Sequence, residues 1–351
     1  MADPSRTQMT DGLGRRISYL RISVTDRCDL RCRYCMAEKM QFLPKNQVLT
    51  LEEIALLADL FVARGINKIR LTGGEPLVRR DIGDLVRRIG RHLGNGLDEL
   101  TLTTNGTRLA DHADMLADAG VRRINVSLDS LDPDRFAHIT RGGDIQTVFG
   151  GLKAAQAAGL AIKINMVALK GVNDDEILPM LRWCDAEGLD LTLIETMPLG
   201  ETGDDRTDHY LPLNQVADDI RALHALTPLP DRTGGPARYH SVAGMTARLG
   251  LITPLTNNFC ADCNRIRMTC EGKIFMCLGH EDHVDFKAAL RTGGLPAVEP
   301  LIDRALRLKP AAHDFRIGAG ERAALLRIGP GHELIDQDER TRIGRGLPFV
   351  P

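Results

Sequence analysis

Aromatic residues are scarce. They make up 4% of the 351 residues, with one Trp and four Tyr. That scarcity argues against a stacking platform for single-stranded nucleic acid. Charge of one sign is also missing: 45 Lys and Arg stand against 47 Asp and Glu, a formal net charge of -2. No global field favours duplex nucleic acid or an anionic membrane. No apolar run reaches the roughly 20 residues that span a bilayer, and the first residues, Met1 to Thr7, lack the apolar stretch of a secretory signal. The sequence therefore predicts a cytoplasmic protein with neither a nucleic-acid nor a membrane partner. Hydrophobic residues at 43% and charged residues at 26% are globular values, and the length suggests about two domains, or one barrel with an appendage.

Cysteine is the informative residue. Of eight, three form C-x3-C-x2-C at Cys28, Cys32 and Cys35, and three form C-x2-C-x13-C at Cys260, Cys263 and Cys277; Cys184 and Cys270 stand apart and read as ordinary buried residues. Thiols stay reduced in the cytosol, so clustered cysteines there bind metal or act in redox chemistry. Structural zinc normally takes four ligands. Three thiolates on an iron–sulfur cluster leave one iron open. The alternative for the second group is zinc completed by His280 or His283.

Strand-like runs at Leu20–Val24, Lys68–Leu71, Glu99–Thr103, Arg123–Ser127, Ala161–Val167 and Leu191–Glu195 alternate with amphipathic stretches at Leu51–Arg64, Asp81–Leu93, Leu109–Ala119, Ile145–Ala158 and Glu176–Glu187. This alternation predicts an α/β fold with a parallel sheet covered by helices, as an incomplete (β/α)6 TIM-like barrel. Polar or glycine-rich residues follow the strands, where parallel barrels build their active sites: Thr72-Gly73-Gly74-Glu75-Pro76, Thr104-Asn105-Gly106, Asp129-Ser130 and Met197-Pro198. The pattern weakens after residue 200, beyond a polar loop at Gly200–Asp205, with one more helix read at Leu213–Leu223. Thr233-Gly234-Gly235-Pro236 marks a boundary. We expect a barrel over residues 1–235 and a C-terminal domain over 236–351 carrying the second cysteine group.

The segment Cys28-Asp29-Leu30-Arg31-Cys32-Arg33-Tyr34-Cys35 resembles the signature of radical S-adenosylmethionine (SAM) enzymes, and Gly73-Gly74-Glu75-Pro76 resembles their second hallmark. The runs Leu20–Cys28, Ile69–Thr72, Leu102–Gly106, Arg123–Asp129, Lys170–Asp174, Ile194–Met197 and Phe259–Arg267 are similar to those of the GTP 3′,8-cyclase family, over about residues 12–315. The resemblance implies a radical SAM lyase that converts GTP to 3′,8-cyclo-7,8-dihydro-GTP, the first step of molybdenum cofactor biosynthesis. It implies a [4Fe–4S] cluster on Cys28, Cys32 and Cys35 whose open iron chelates SAM, and a second [4Fe–4S] cluster on Cys260, Cys263 and Cys277 whose open iron binds guanine. By the same resemblance, one-electron cleavage of SAM would give a 5′-deoxyadenosyl radical that takes hydrogen from ribose C3′; the C3′ radical would attack C8, and one electron through the second cluster, with a proton, would reduce the resulting aminyl radical to the product. Tyr34, Gly74, Ser127 and Met197 match SAM positions; Arg21, Arg70, Thr103, Lys163, Arg265, Ile266 and Arg267 match GTP positions. Arg21, Arg70 and Lys163 fall within strands. They either face inward and need an anion, or face outward and snorkel to water. The implied partners are an electron donor such as flavodoxin or ferredoxin, cyclic pyranopterin monophosphate synthase downstream, and a second copy of the chain in a homodimer.

Three positions depart from the family. Thr192 stands where Arg is frequent, Ala37 where Pro is usual, and the chain ends Arg342-Ile343-Gly344-Arg345-Gly346 through Pro351 rather than in the Ile-Gly-Gly tail that reaches into the family's active site. Two further readings therefore stay open: a radical SAM enzyme on another substrate such as a peptide, and an inactive metal-binding paralogue.

Overall fold

The computed structural model describes residues 8–197, 208–230, 234–313 and 315. Six βα units are laid down in chain order. The strands are β1 (Tyr19–Ser23), β2 (Lys68–Thr72), β3 (Glu99–Thr104), β4 (Arg123–Ser127), β5 (Ala161–Ala168) and β6 (Asp190–Glu195). They pair in sequence order, all parallel. The helices between them are α1 (Leu51–Ala63), α2 (Ile82–Gly90), α3 (Ala113–Asp118), α4 (Pro133–Thr140), α5 (Ile145–Ala157) and α6 (Ile177–Ala186), followed by α7 (Leu213–Arg221).

The later chain completes the same sheet. It supplies β7 (Leu226–Pro228), β8 (Arg238–Val242), β9 (Arg248–Ile252), β10 (Arg265–Met268), β11 (Lys273–Phe275), β12 (His283–Asp285) and α8 (Phe286–Arg307). Strand β10 pairs parallel to β1, and β9 parallel to β6. Eight parallel strands thus run β10-β1-β2-β3-β4-β5-β6-β9, extended by antiparallel β11 and β12 at one edge and β8 and β7 at the other. The order has two ends, so the barrel is incomplete. The expected boundary at residue 235 falls between β7 and β8, which pair within this one sheet.

Side-chain alternation explains the layering. Leu20, Ile22, Ile69, Leu71, Leu100, Leu102, Ile124, Val126, Ile162, Ile164, Leu191 and Leu193 share one face of the strands and are buried in the main apolar core with the inner sides of the helices. Helix α1 is typical of that layer. A capping box starts it, with Thr50 Oγ1 accepting from Glu53 N at 3.1 Å and Glu53 Oε2 accepting from Thr50 N at 2.8 Å, and it buries Ile54, Leu57, Phe61 and Val62. The opposite parity carries charge, and it builds the site.

Helix α8 gives little sequence signal because Gly293, Gly294, Pro296 and Pro300 interrupt it; Gly294, at φ 66, marks a break between two helical segments. It packs onto α1 through stacked Phe61 and Phe286, 5.9 Å between centroids, and through Arg64 on Asp303 at 2.5 Å. No described helix is long and apolar enough to cross a membrane.

Candidate active site

The first cysteine group lies on the loop after β1, at the C-terminal end of the barrel strands. Helix α4, which the sequence reading passed over, holds this loop. Arg31 N bonds Thr140 O at 3.1 Å, Arg33 N bonds Ile139 O at 2.9 Å, and the Arg141 guanidinium reaches Arg31 O and Met36 O at 2.9 Å each. The loop then closes on itself, with Cys35 N and Met36 N on Cys32 O at 2.9 and 3.0 Å. Burial pushes the Cys28 thiol up to about 12. Cys32 is likewise raised well above the usual thiol range, by burial and then by Cys35, Asp129 and Cys28. Three thiols held close and partly buried suit an iron–sulfur cluster, which needs thiolates and supplies the positive charge.

The loop after β2 packs under the cysteine loop. Gly74 N bonds Thr25 O and Glu75 N bonds Arg27 O, both at 2.8 Å. A Cβ on Gly74 would sit 2.3 Å from Arg27 O and 2.5 Å from its carbonyl carbon. Gly74 is therefore required for packing within the protein. With its N–H already bonded, its carbonyl is the group left to receive an ammonium. Glu75 is buried and ties its own loop to the one after β3: it accepts from Leu77 N at 3.0 Å, Thr104 Oγ1 at 2.7 Å and Asn105 N at 2.6 Å. Asn105 in turn lies 3.8 Å from Cys28 Sγ. Tyr34 donates to Asp129 Oδ2 at 2.6 Å, and Val167 N donates to Asp129 Oδ1 at 2.8 Å. Burial raises Asp129 to about 6 despite both bonds. Ser127 ends β4 in register with Asn165. Met197 lies with Val167, Leu169 and Ile194 in an apolar patch against Tyr34, Cys35, Leu278 and Phe315.

Below this patch the inner face of the strands is charged. The register sets Arg267 beside Arg21 and Arg21 beside Arg70, Thr103 beside Asn125, and Asn125 beside Lys163. Arg70, Lys163 and Arg265 are 7%, 5% and 4% exposed, so they face inward and do not snorkel to water. Among the described residues no carboxylate lies within ion-pair distance of Arg70, Lys163, Arg265 or Arg267. Burial brings Arg21 down to about 9; Tyr19 opposes it, and the charges of Arg267, Arg70 and Arg265 add to the fall. Burial, Arg70 and Arg123 likewise hold Lys163 well below the usual lysine range. Buried atoms without a hydrogen-bond partner gather here too: Arg70 Nε, Arg265 Nε, Thr103 Oγ1, Asn125 Oδ1, Asn165 Oδ1 and Thr192 Oγ1. Unsatisfied buried groups on this scale indicate a bound ligand that they would contact, and the surplus of cations requires it to be an anion.

Ile266 differs from its neighbours. It pairs with Leu20 on the opposite parity and is buried in the apolar core. Its side chain faces the helices, so only its backbone is available to a ligand in the interior. Tyr19, Asn125, Asn165 and Tyr239 were not singled out from sequence. Alternation with Lys163 would have found Asn165. Nothing in sequence would have found Tyr239, which reaches the interior from β8.

The second cysteine group stands at β10 and β11, beside Arg265 and Arg267. Cys263 N bonds Cys260 O at 3.1 Å. Burial pushes the Cys263 thiol up, but Arg265, Lys309 and Arg267 outweigh it and hold the thiol at about 6. Burial also pushes Cys260 up, but His313 outweighs it and leaves that thiol lowered, while burial raises Cys277; three sulfur donors, two of them favouring thiolate, fit a second cluster. The histidines of the zinc alternative are engaged with backbone: His280 Nε2 lies 3.0 Å from Ala312 O, and His283 Nδ1 lies 2.9 Å from Glu281 O. Among the described residues no three His, Cys, Asp or Glu side chains converge as a single ion needs; cluster thiolates each take their own iron and stand further apart. Cys184 and Cys270 are fully buried. The expected difference at the C-terminal tail, Arg342 to Pro351, lies outside the described residues.

Residues 22–184 match the radical SAM superfamily, and residues 189–315 match the family described as Molybdenum Cofactor Synthesis C. The GTP 3′,8-cyclase of Erythrobacter litoralis is 59% identical over 322 residues, covering 92% of this chain and 97% of that protein. That of Rhizobium meliloti is 56% identical over 317 residues, covering 90% and 91%. Among solved structures, Streptococcus suis SuiB bound to S-adenosylmethionine has a TM-score of 0.59 at 14% identity, covering 82% of this chain and 68% of that one, a likeness of fold. With two thiol groups flanking a cationic interior, and identity at this level over nearly the whole length, the chain belongs to the GTP 3′,8-cyclase family of radical SAM enzymes.

Proposed function

We propose that this chain converts GTP to 3′,8-cyclo-7,8-dihydro-GTP, the opening reaction of molybdenum cofactor biosynthesis, using SAM and two [4Fe–4S] clusters. The observation that carries the reading is a set of inward-facing cations without carboxylate partners among the described residues, the buried Arg70, Lys163 and Arg265 and the half-buried Arg267. A triphosphate concentrates the negative charge those cations lack in one small group, which a peptide's scattered carboxylates do not.

Cys28, Cys32 and Cys35 hold the first cluster, and Cys260, Cys263 and Cys277 the second. When bound, the first cluster and SAM supply the one-electron cleavage that starts hydrogen abstraction at ribose C3′. The chain's own residues position and enclose the reactants. The Gly74 carbonyl accepts from the SAM ammonium, Ser127 and Tyr34 orient the rest of the molecule, and Met197 with Val167 and Ile194 keeps water from the radical. Arg21, Arg70, Arg265 and Arg267 hold the triphosphate and base edges with guanidinium forks suited to those groups, and Lys163 adds a point charge. Thr103 Oγ1, which lacks a partner, bonds GTP alongside them. Ile266 contributes backbone only. The first thiol group precedes residue 235 and the second follows it, which supports a functional division into 1–235 for SAM and 236–351 for the second cluster. A flavodoxin or ferredoxin as electron donor, transfer of the product to cyclic pyranopterin monophosphate synthase, a homodimer and a cytoplasmic location belong to the same proposal.

The test is deuterium transfer. Reconstituted protein is incubated without oxygen with SAM, dithionite and 3′-deuterated GTP. Deuterium in 5′-deoxyadenosine supports the reading. Unlabelled 5′-deoxyadenosine would move the substrate elsewhere, and none from protein with both clusters intact would mark a binding-competent but inactive chain.

A further inference from the structure

Lys309 lies just beyond α8 and is 5% exposed. A buried ammonium needs an anion close by. Its contacts are Cys263 Sγ at 3.4 Å, Arg265 O at 2.9 Å and Met276 O at 2.7 Å, which use all three of its donors. No carboxylate pairs with it among the described residues. The sulfur of Cys263 is thus the one anionic partner it has once that thiol ionises. The two carbonyls flank the other arms of the same group: Met276 precedes Cys277, and Arg265 follows Cys263 by two residues. The ammonium therefore ties the β10 and β11 sides together around the thiols.

The chain after α8 is fastened over this spot. Arg15 donates to Cys260 O at 2.8 Å, Pro310 O at 2.6 Å and Ala311 O at 2.9 Å, and is itself held by Asp11 at 2.7 Å. Lys309 is accordingly constrained from both of its neighbouring segments and has little freedom to leave the sulfur.

We propose that Lys309 is a positioning residue that raises the reduction potential of the cluster held by Cys260, Cys263 and Cys277. The inference rests on the reading of those cysteines as cluster ligands. Reduction adds one electron from an external reductant and makes the cluster more negative. An ammonium hydrogen-bonded to a ligating sulfur, in a site of low dielectric, stabilises that reduced form more than the oxidised one. Hydrogen bonds to the sulfurs and local charge are among the properties that set such potentials.

The experiment uses the full chain with Cys28→Ser, Cys32→Ser and Cys35→Ser, so that only the second group holds iron. Iron and sulfide are counted after anaerobic reconstitution, and the potential is read by redox titration followed by electron paramagnetic resonance. Lys309→Met in this background is expected to keep its iron and to shift the reduction equilibrium at least tenfold toward the oxidised form, a fall of about 59 mV for one electron. Lys309→Arg keeps the charge and should recover most of that shift. Equal potentials in the parent and Lys309→Met, at equal iron, would overturn the inference. If Lys309→Met does not retain iron, the parent labelled with 15N-lysine decides. A nitrogen hyperfine coupling to the reduced cluster supports the contact, and its absence refutes it. A parent that binds no iron would sink the cluster reading and this inference with it.

Discussion

The ammonium of Lys163 donates a 2.9 Å hydrogen bond to the hydroxyl of Tyr239. The two residues belong to β5 and β8, with β6 and β9 between them in the sheet. The bond is possible because Gly250, opposite both Thr192 and Tyr239, has no side chain: a Cβ there would lie 2.8 Å from Thr192 Oγ1 and 3.1 Å from the Tyr239 ring. Thr192 and Gly250 together leave the space over which the ring leans. Tyr239→Phe removes the acceptor that orients Lys163. A hydrogen bond to a charged group contributes about 1.5–3 kcal/mol, so GTP affinity should fall about tenfold or more, measured by calorimetry on protein with both clusters. An unchanged affinity would mean that Lys163 needs no such support.

Arg70 is buried, has no carboxylate partner, and its Nε lacks a hydrogen bond. Without GTP it opposes folding, because a desolvated charge among like charges is unfavourable. Arg70→Met should therefore raise the melting temperature of the ligand-free chain while weakening GTP binding at least tenfold. The same variant should lose most of the rise in melting temperature that GTP gives the parent. A variant that is less stable without ligand would contradict the unpaired-cation account.

Glu75 is raised from 4.5 to about 7 by burial, against the bonds from Asn105 N, Leu77 N and Thr104. Its folded value exceeds its unfolded value, so the native state holds a proton that the unfolded chain has lost. Its contribution to stability is full below about pH 4.5 and declines as pH rises to about 7. Between pH 5.5 and 7 the decline is on the order of 2 kcal/mol. Denaturant unfolding of wild type and Glu75→Gln across pH 5.5–8 checks this. The wild type should lose stability relative to the variant up to about pH 7, and a constant difference would exclude a raised Glu75.

Gly74→Ala places a methyl 2.3 Å from a backbone oxygen, Arg27 O, which belongs to the loop leading into Cys28. Backbone cannot yield as a side chain tip does, so the two loops must separate. The expected outcome is a lower melting temperature, by about 1–3 kcal/mol of stability, and loss of 5′-deoxyadenosine formation. Full SAM cleavage by this variant would show that the close packing of these loops is dispensable.

Much of the fold was legible because the relevant signals are local. The six parallel strands appear within a residue or two of where β-branched runs placed them, and α1, α5 and α6 nearly coincide with their periodic stretches. Helix α4 carries a start signal in Asp132 followed by Pro133, but at eight residues it is too short to show a clear period. Strands β7 to β12 gave no clear pattern, since three to five residues carry too little alternation to distinguish a strand from a turn. The break in α8 hid that helix as well.

The sequence by itself determined the chemistry available: two incomplete thiol sets, and cations on strands that alternate with apolar residues, because spacing and alternation are properties of the chain. Only the tertiary structure decided which faces those cations occupy, that β10 brings Arg265 and Arg267 beside Arg21, and that Tyr239 and Lys309 reach Lys163 and Cys263. These contacts join residues separated by up to 246 positions, Tyr19 and Arg265 among them. They follow from strand order and helix packing, which no local pattern encodes, and it is desolvation within that packing that turns ordinary arginines and lysines into groups that require an anion.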